Sequence, residues 1–446
     1  MLKIHTVGGY NEVGKNMTAL EDGDDVFLFD AGLFLPAVVD VQEREKNPTE
    51  KWMRSIGALP DDLYLDKKGL REKVRSILIS HAHLDHVGAV QYLAHRYRKA
   101  SVAAPPFTIE VLRKLLEDSR SGISNKILSI KPNNGFTSIG KKNHKIEFVN
   151  ITHSTIQSTM IAVHTKDGVV LYANDFKLDN TPTFGEKPNY ERIKQLSKEG
   201  IKALIVDCLY APDDRKTPSE KIARGLLEDV MFTTDNQNSG MIVTTFSSHI
   251  ARLKSITEFG RRLNRQVVFL GRSLNKYVMA ANKIGKAPFL KDVIMAPYRR
   301  QLEKTLKKVN ANRKDYLIVC TGHQGEPGAI LDRISRNKLP YKLSDNDHII
   351  FSSKTIPSPV NIENRAALES RLKKSKVRIF DNVHVSGHGG REDLRDLIKL
   401  TNPEHVIPSH GDLKKTQAGM NLALEMGYKK DYNVHLMSNA KELLLK

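Results

Sequence analysis

The chain has 446 residues, of which 40% are hydrophobic and 27% charged. That balance fits a soluble globular protein with more than one core and excludes a disordered or low-complexity chain. Lysine and arginine outnumber aspartate and glutamate by 70 to 51, a formal net charge of +19. Such an excess favours polyanionic partners, although solubility alone would also account for it.

No apolar run approaches the roughly 18–20 residues needed to span a bilayer, and the N-terminus lacks a signal-peptide core. A cytoplasmic protein with no membrane partner is expected. The two cysteines, Cys208 and Cys320, are too few for a disulfide framework. Each follows a short apolar run, 203–206 and 316–319, and is expected to be buried at a strand end.

In chain order, residues 1–9 read as a strand running into a glycine turn. Residues 26–30 form a short apolar run ending in Asp30, and the strand at 74–80 ends directly at a histidine cluster. The strand at 146–149 leads to His153, and that at 169–173 leads to Asp175. Strand ends that each deliver a polar residue are how a sheet builds a rigid site from loops. The pattern changes at 209–219, where Pro218 and Ser219 open a helix. Helices at 220–231 and 250–263 then alternate with strands at 241–246, 266–271, 316–320 and 348–352, and Pro357 and Pro359 mark the exit.

From about 365 a helix (364–374) and two strands follow. One strand leads to Ser386-Gly387-His388-Gly389-Gly390, the other to Pro408-Ser409-His410-Gly411-Asp412. The expected organisation is one domain split by another: 1–208, then an insert at 209–365, then 366–446. There is no internal repeat of 20–50 residues, and the lysine-rich clusters at 141–145, 304–308 and 371–376 read as solvated faces.

The strongest local signal is His81-Ala82-His83-Leu84-Asp85-His86. Imidazoles and carboxylates are suitable ligands for zinc, and alternation places His81 and His83 on one side of an extended turn, leaving Asp85 and His86 to face a second ion. Four such residues packed this closely are costly to keep together without a cation. A binuclear site needs further ligands, one of them a bridging carboxylate. His153 and Asp175, at later strand ends, offer them.

These residues, with Asp30 upstream, resemble the metallo-β-lactamase fold, an α/β architecture built as an αββα sandwich. The insert and the two late histidine motifs resemble the β-CASP branch, its nucleic-acid-processing members. The runs 8–16, 321–327 and 385–388 resemble ribonuclease J, so that the resemblance covers essentially the whole chain. It implies a first zinc held by His81, His83 and His153, a second held by Asp85, His86 and His410, and Asp175 bridging them. Asp30 would orient the histidine loop through hydrogen bonds. Asp207 matches the acidic position of the first β-CASP motif, where many members carry Glu; a strand-end acid capping a loop is its plainer reading. His410 implies RNA rather than DNA as substrate, and His388 matches the histidine that contacts the scissile phosphate.

The implied reaction is zinc-dependent hydrolysis of single-stranded RNA, 5′-to-3′ from a 5′-monophosphate end, releasing nucleoside 5′-monophosphates. A hydroxide bridging two Zn2+ would attack phosphorus, with Asp85 orienting it and His388 protonating the departing 3′-oxygen. Mn2+ or Mg2+ would substitute in vitro. A 5′-phosphate pocket needs hydroxyl, amide and guanidinium donors, for which Ser247, His249, Arg272 and the backbone of Gly389 and Gly390 are candidates. A helix N-cap at Ser247 and a surface role for Arg272 are the plainer readings. Bacterial members tend to carry Ala-Ser where this chain has Gly389-Gly390, so contacts made by that serine do not transfer.

The length resembles the archaeal type, and a homodimer or an RNA-decay or helicase assembly are the partners implied. The rival enzyme is a β-CASP endoribonuclease of RNA 3′-end processing. A small-molecule hydrolase would need neither the insert nor the charge, and an inactive RNA-binding scaffold would have lost ligands that are all present here.

Overall fold

The computed structural model describes residues 2–39, 48–356 and 359–445, so Pro357 lies outside the described residues. The chain divides into two compact units: residues 1–180, 185–217 and 387–446 in the first, and 181–184 with 218–386 in the second. The helix Pro359–Lys374 and the strand after it therefore belong to the insert, and the chain returns at 386/387 instead of near 365. The physical reason is pairing, because that strand, Arg378–Phe380, hydrogen-bonds to His348–Phe351 of the insert's sheet. Residues 209–217 stay with the first unit, tied there by a bridge from Tyr210 to Gly390 and by Thr217 N–H donating to Asp393.

The first unit is a pair of facing sheets. One runs in the order β19-β1-β2-β3-β4-β5-β6, made of β1 (Leu2–Gly8), β2 (Met17–Asp22), β3 (Asp25–Phe29), β4 (Val74–Leu78), β5 (Ser101–Ala104), β6 (Ile127–Ser129) and β19 (Lys441–Leu445). The other runs β18-β11-β10-β9-β8-β7, made of β7 (Thr137–Ile139), β8 (His144–Asn150), β9 (Thr159–Thr165), β10 (Gly168–Ala173), β11 (Ile201–Asp207) and β18 (His405–Ser409). Their inner faces share one core that includes Phe27, Phe29, Leu78, Phe148, Ile161, Tyr172, Ile205 and Ile407. Phe29 and Tyr172 stack across the two sheets with ring centroids 5.0 Å apart.

The outer face of the second sheet is closed by the helices Tyr190–Glu199, Arg391–Thr401 and Leu413–Glu425, whose apolar residues form a second core with it. Strands covered on both faces read as continuous apolar runs, as β3, β11 and β18 do. Cys208 and Cys320 are free and buried, each at a strand end.

The second unit holds a six-stranded parallel sheet, order β14-β13-β15-β12-β16-β17: β12 (Met241–Thr244), β13 (Gln266–Leu270), β14 (Val293–Ala296), β15 (Tyr316–Cys320), β16 (His348–Phe351) and β17 (Arg378–Phe380). Ser219 caps the helix Glu220–Thr233 by accepting from Lys221 N–H. Arg252, buried in the helix Ile250–Arg262, donates to both Glu220 oxygens at 2.6 and 2.7 Å and to the carbonyl of Ser352. Leaving either partner of such a buried pair alone costs about 3–5 kcal/mol.

In the first unit one close approach sets the ligand loop. Backbone bonds run from Ala31 N–H to His86, Leu33 N–H to Leu84 and Asn16 N–H to Asp85. A Cβ on Gly32 would lie 1.6 Å from the Asp85 carbonyl oxygen. Gly32→Ala is therefore expected to lower stability by about 1–3 kcal/mol through overpacking and to weaken metal retention, read from denaturant midpoints and metal analysis. Wild-type values in both would refute this packing.

Candidate metal centre

Six strands of the first unit deliver their carboxyl ends to one place. Asp30 follows β3, His81 follows β4, His153 follows β8, Asp175 follows β10, Asp207 ends β11 and His410 follows β18. The short helix Leu84–Val87 begins at His83 and carries Asp85 and His86 in its only turn. Asp30, Asp175 and His410 have φ of 60°, 57° and 55°. Non-glycine residues in that left-handed region are uncommon and cluster at functional sites, where the surroundings hold them.

Two donor groups share Asp175: His81, His83 and His153 on one side, and Asp85, His86 and His410 on the other. Asp175 Oδ2 lies 3.4 Å from His81 Nε2, 3.4 Å from His153 Nε2 and 3.2 Å from His86 Nε2. Asp175 Oδ1 lies 3.5 Å from His410 Nε2. His83 instead presents Nδ1, 3.1 Å from Nε2 of both His81 and His153. A tetrahedral ion with bonds of about 2.0–2.1 Å needs donors about 3.3 Å apart, which these separations match.

The remaining ring nitrogens fix the tautomers. His81 Nδ1 donates to Ser80 Oγ, which donates to Asp30. His86 Nδ1 donates to Asp30 at 2.7 Å, His153 Nδ1 to the Gly387 carbonyl at 2.7 Å and His410 Nδ1 to Asn16 Oδ1 at 2.9 Å. Held so, the neutral rings of His81 and His153 turn a lone pair toward His83 and Asp175, an arrangement that repels itself unless a cation sits among the donors. Asp175 Oδ1 is buried with no hydrogen-bond donor. The residues fit a metal.

The charges agree. Burial pushes His81, His83 and His153 below the usual histidine range, which keeps them neutral and ligand-competent. Burial works against the Asp175 carboxylate, but His410, His86 and His388 outweigh it and hold its pKa well below the ordinary value. For His388, burial is likewise overcome, by Asp175 and Asp207, and its pKa is raised to about 9. His388 Nδ1 donates to Asp207 Oδ2 at 2.7 Å and its Nε2 faces Asp175 Oδ2 at 3.9 Å.

The residues expected to grip a 5′-phosphate are divided. Ser247, His249 and Arg272 lie in the second unit, and Gly389 and Gly390 in the first. His249, not Ser247, is the N-cap of the Ile250–Arg262 helix, accepting from Arg252 N–H, and it also lies 3.4 Å from Glu220. Ser247 sits half-buried in the turn before it, and Arg272 is exposed at the start of its helix. The Gly389 and Gly390 amides donate to Phe176 and Asp393, and a Cβ on either would meet Asp393 or the Arg215 carbonyl oxygen, so both glycines are committed to packing within the first unit.

Several residues that complete the centre went without a role in the sequence reading. Asn16 holds His410 and also donates from Nδ2 to the Asp85 carbonyl. Tyr172 donates to Asp30 at 2.8 Å, and Asn174 links Tyr172 to Ser409. Nothing about an asparagine after a glycine turn, or a tyrosine in an apolar strand, marks it as part of a metal centre before the strands are paired.

Three family models match the chain: the metallo-beta-lactamase superfamily over residues 10–205, the ribonuclease J beta-CASP domain over 238–367, and the Zn-dependent metallo-hydrolase RNA specificity domain over 374–437. A relative from Methanocaldococcus jannaschii named Ribonuclease J is 41% identical over 99% of this chain and 98% of its own. Another of that name from Pyrococcus abyssi is 41% identical over 96% of this chain and 94% of its own. A solved structure, a protein of unknown function from Enterococcus faecalis, shares the fold with a TM-score of 0.66 at 15% identity over 99% of both chains.

Asp30 touches Ser80, His86 and Tyr172 at once. Asp30→Asn is expected to weaken metal binding about 10–100-fold, since it loses the acceptor that orients the ligands. Competition with a chelator checks this; unchanged affinity would remove the orienting role.

Proposed function

Because the chain belongs to the ribonuclease J family of the metallo-β-lactamase superfamily, and is thus a metal-dependent ribonuclease, we propose that it degrades single-stranded RNA 5′-to-3′ from a 5′-monophosphate end with two zinc ions. The observation that carries the two-ion reading is the carboxylate shared between two donor groups, Oδ2 toward one and both oxygens toward the other. His81, His83 and His153 would hold one ion, Asp85, His86 and His410 the other, and Asp175 both. Two divalent cations, when bound, supply Lewis-acid activation of water and neutralise phosphodiester charge. Manganese or magnesium would replace zinc in vitro.

His388 is positioned by Asp207 to keep a proton at Nε2 on the side facing Asp175. That proton would go to the departing 3′-oxygen, and the charged ring would steady the phosphate. Asp85 would orient the attacking water while serving as a ligand. Ser247, His249 and Arg272, all of the second unit, are the side chains proposed to recognise the 5′-phosphate. No helix among the described residues is long and apolar enough to cross a membrane. The same reading expects action in the cytoplasm, as a homodimer or within an RNA-decay or helicase assembly.

Side-by-side digestion of 5′-monophosphate and 5′-triphosphate RNA tests the mode. Mononucleotides are expected from the first time points on the monophosphate end, with the triphosphate end slower by about tenfold or more. Equal rates would remove the phosphate pocket, and discrete internal fragments would favour the endonuclease. His81→Ala and exhaustive chelation should each leave almost no activity. His388→Gln is expected to lower kcat about 10²–10⁴-fold with little change in KM; a change confined to KM would assign it to binding alone.

A further inference from the structure

The positive charge of the chain is concentrated. Residues 261–314 contain fifteen Lys and Arg against two Asp and Glu, a net of +13 out of +19 for the whole chain. The remainder of the sequence is close to balanced. In the second unit this segment folds as the end of the Ile250–Arg262 helix, β13, the helix Arg272–Lys283, the edge strand β14 and the helix Arg299–Ala311. Twelve of the fifteen cations are exposed. Charge gathered so densely repels itself, a cost that a merely solvated surface avoids by interspersing acids.

The helix Arg299–Ala311 shows the pattern most clearly. Leu302, Leu306 and Val309 face the core, while Arg300, Lys304 and Lys307 fall four and three residues apart on the exposed side. Arg299 is paired with Glu303 at 2.8 Å, and no ion pair engages the other three among the described residues. The stripe is about 10 Å long, enough to follow a few consecutive phosphates. At its head Tyr298 is 61% exposed. This residue makes no side-chain capping bond, and the first turn carries no acid, so the positive helix end adds to the field. An open aromatic ring leading into a row of cations is the combination that holds single-stranded nucleic acid, bases on the ring and phosphates along the row.

We propose that the exposed face of the helix Arg299–Ala311, headed by Tyr298, is a sequence-independent RNA-binding surface that grips the backbone of the substrate strand, using residues separate from the metal ligands and from Ser247, His249 and Arg272. It rests on the reading of RNA as substrate. The full-length protein carrying Arg300→Glu, Lys304→Glu and Lys307→Glu, and a second with Gln at the same positions, are compared with wild type. The probes are 5′-monophosphate RNAs of about 40 and about six nucleotides, titrated over a salt series.

Both variants are expected to lose affinity for the long RNA, about tenfold or more, with the salt slope flattened by about two. Tyr298→Ala should lose about tenfold. Metal content and cleavage of the short RNA should match wild type. Long-RNA affinity and salt slope unchanged in both triple variants would overturn the proposal, and that is also the result if the surface serves an acidic protein. Wild type that neither binds nor cuts either RNA would instead strike the substrate reading itself.

Discussion

Asp175 is a buried carboxylate placed in a left-handed backbone conformation among four imidazoles. Much of the first unit is arranged so that this one group tolerates its position. A buried anion is costly unless it is paired or coordinates a metal. The histidines around it are held by acceptors on their far side, Asp30, Asn16, Ser80 and the Gly387 carbonyl, so each points Nε2 at it. A cation among those nitrogens would meet the carboxylate and the rings together.

The sandwich explains why such an arrangement is rigid. Tyr172 serves both levels of structure: its ring stacks on Phe29 across the sheets, and its hydroxyl donates to Asp30. The parallel pairings β3 with β4, β10 with β11 and β11 with β18 put the acids and histidines at the same ends of neighbouring strands. Register decides the details, since Asp207 sits opposite Ser409, the residue before His410. A displacement of one residue in either strand would exchange a ligand for a core side chain.

The second unit is built by other rules. Its sheet is parallel throughout, a buried arginine–glutamate pair ties the helices Glu220–Thr233 and Ile250–Arg262 together, and its charge gathers at the β14 edge. Exposed cations along an edge strand and its neighbours also discourage pairing with another sheet. One distribution of charge thus serves solubility and a polyanionic ligand alike.

Within residues 81–86 the ligands are close in sequence, and their residue types name the chemistry; His153, Asp175 and His410 were legible because each follows an apolar run that a sheet must bury. The strands 316–320 and 348–352 were legible for the same reason and lie in the structure as Tyr316–Cys320 and His348–Phe351. The edge strand β14 was not, because it is short and half-exposed, leaving no apolar run to read, and the strand expected to lead to Ser386 exists only as Arg378–Phe380, ending short of it. The return point of the insert depended on the pairing of β17, a contact no local pattern encodes. Asn16, Tyr172 and Asn174 became part of the centre only through pairing between strands distant in sequence. Residue type and local spacing therefore determined what the site is made of. Which atoms meet, and which acceptor fixes each ring, was decided by long-range register, since a hydrogen bond depends on position in space and not on order along the chain.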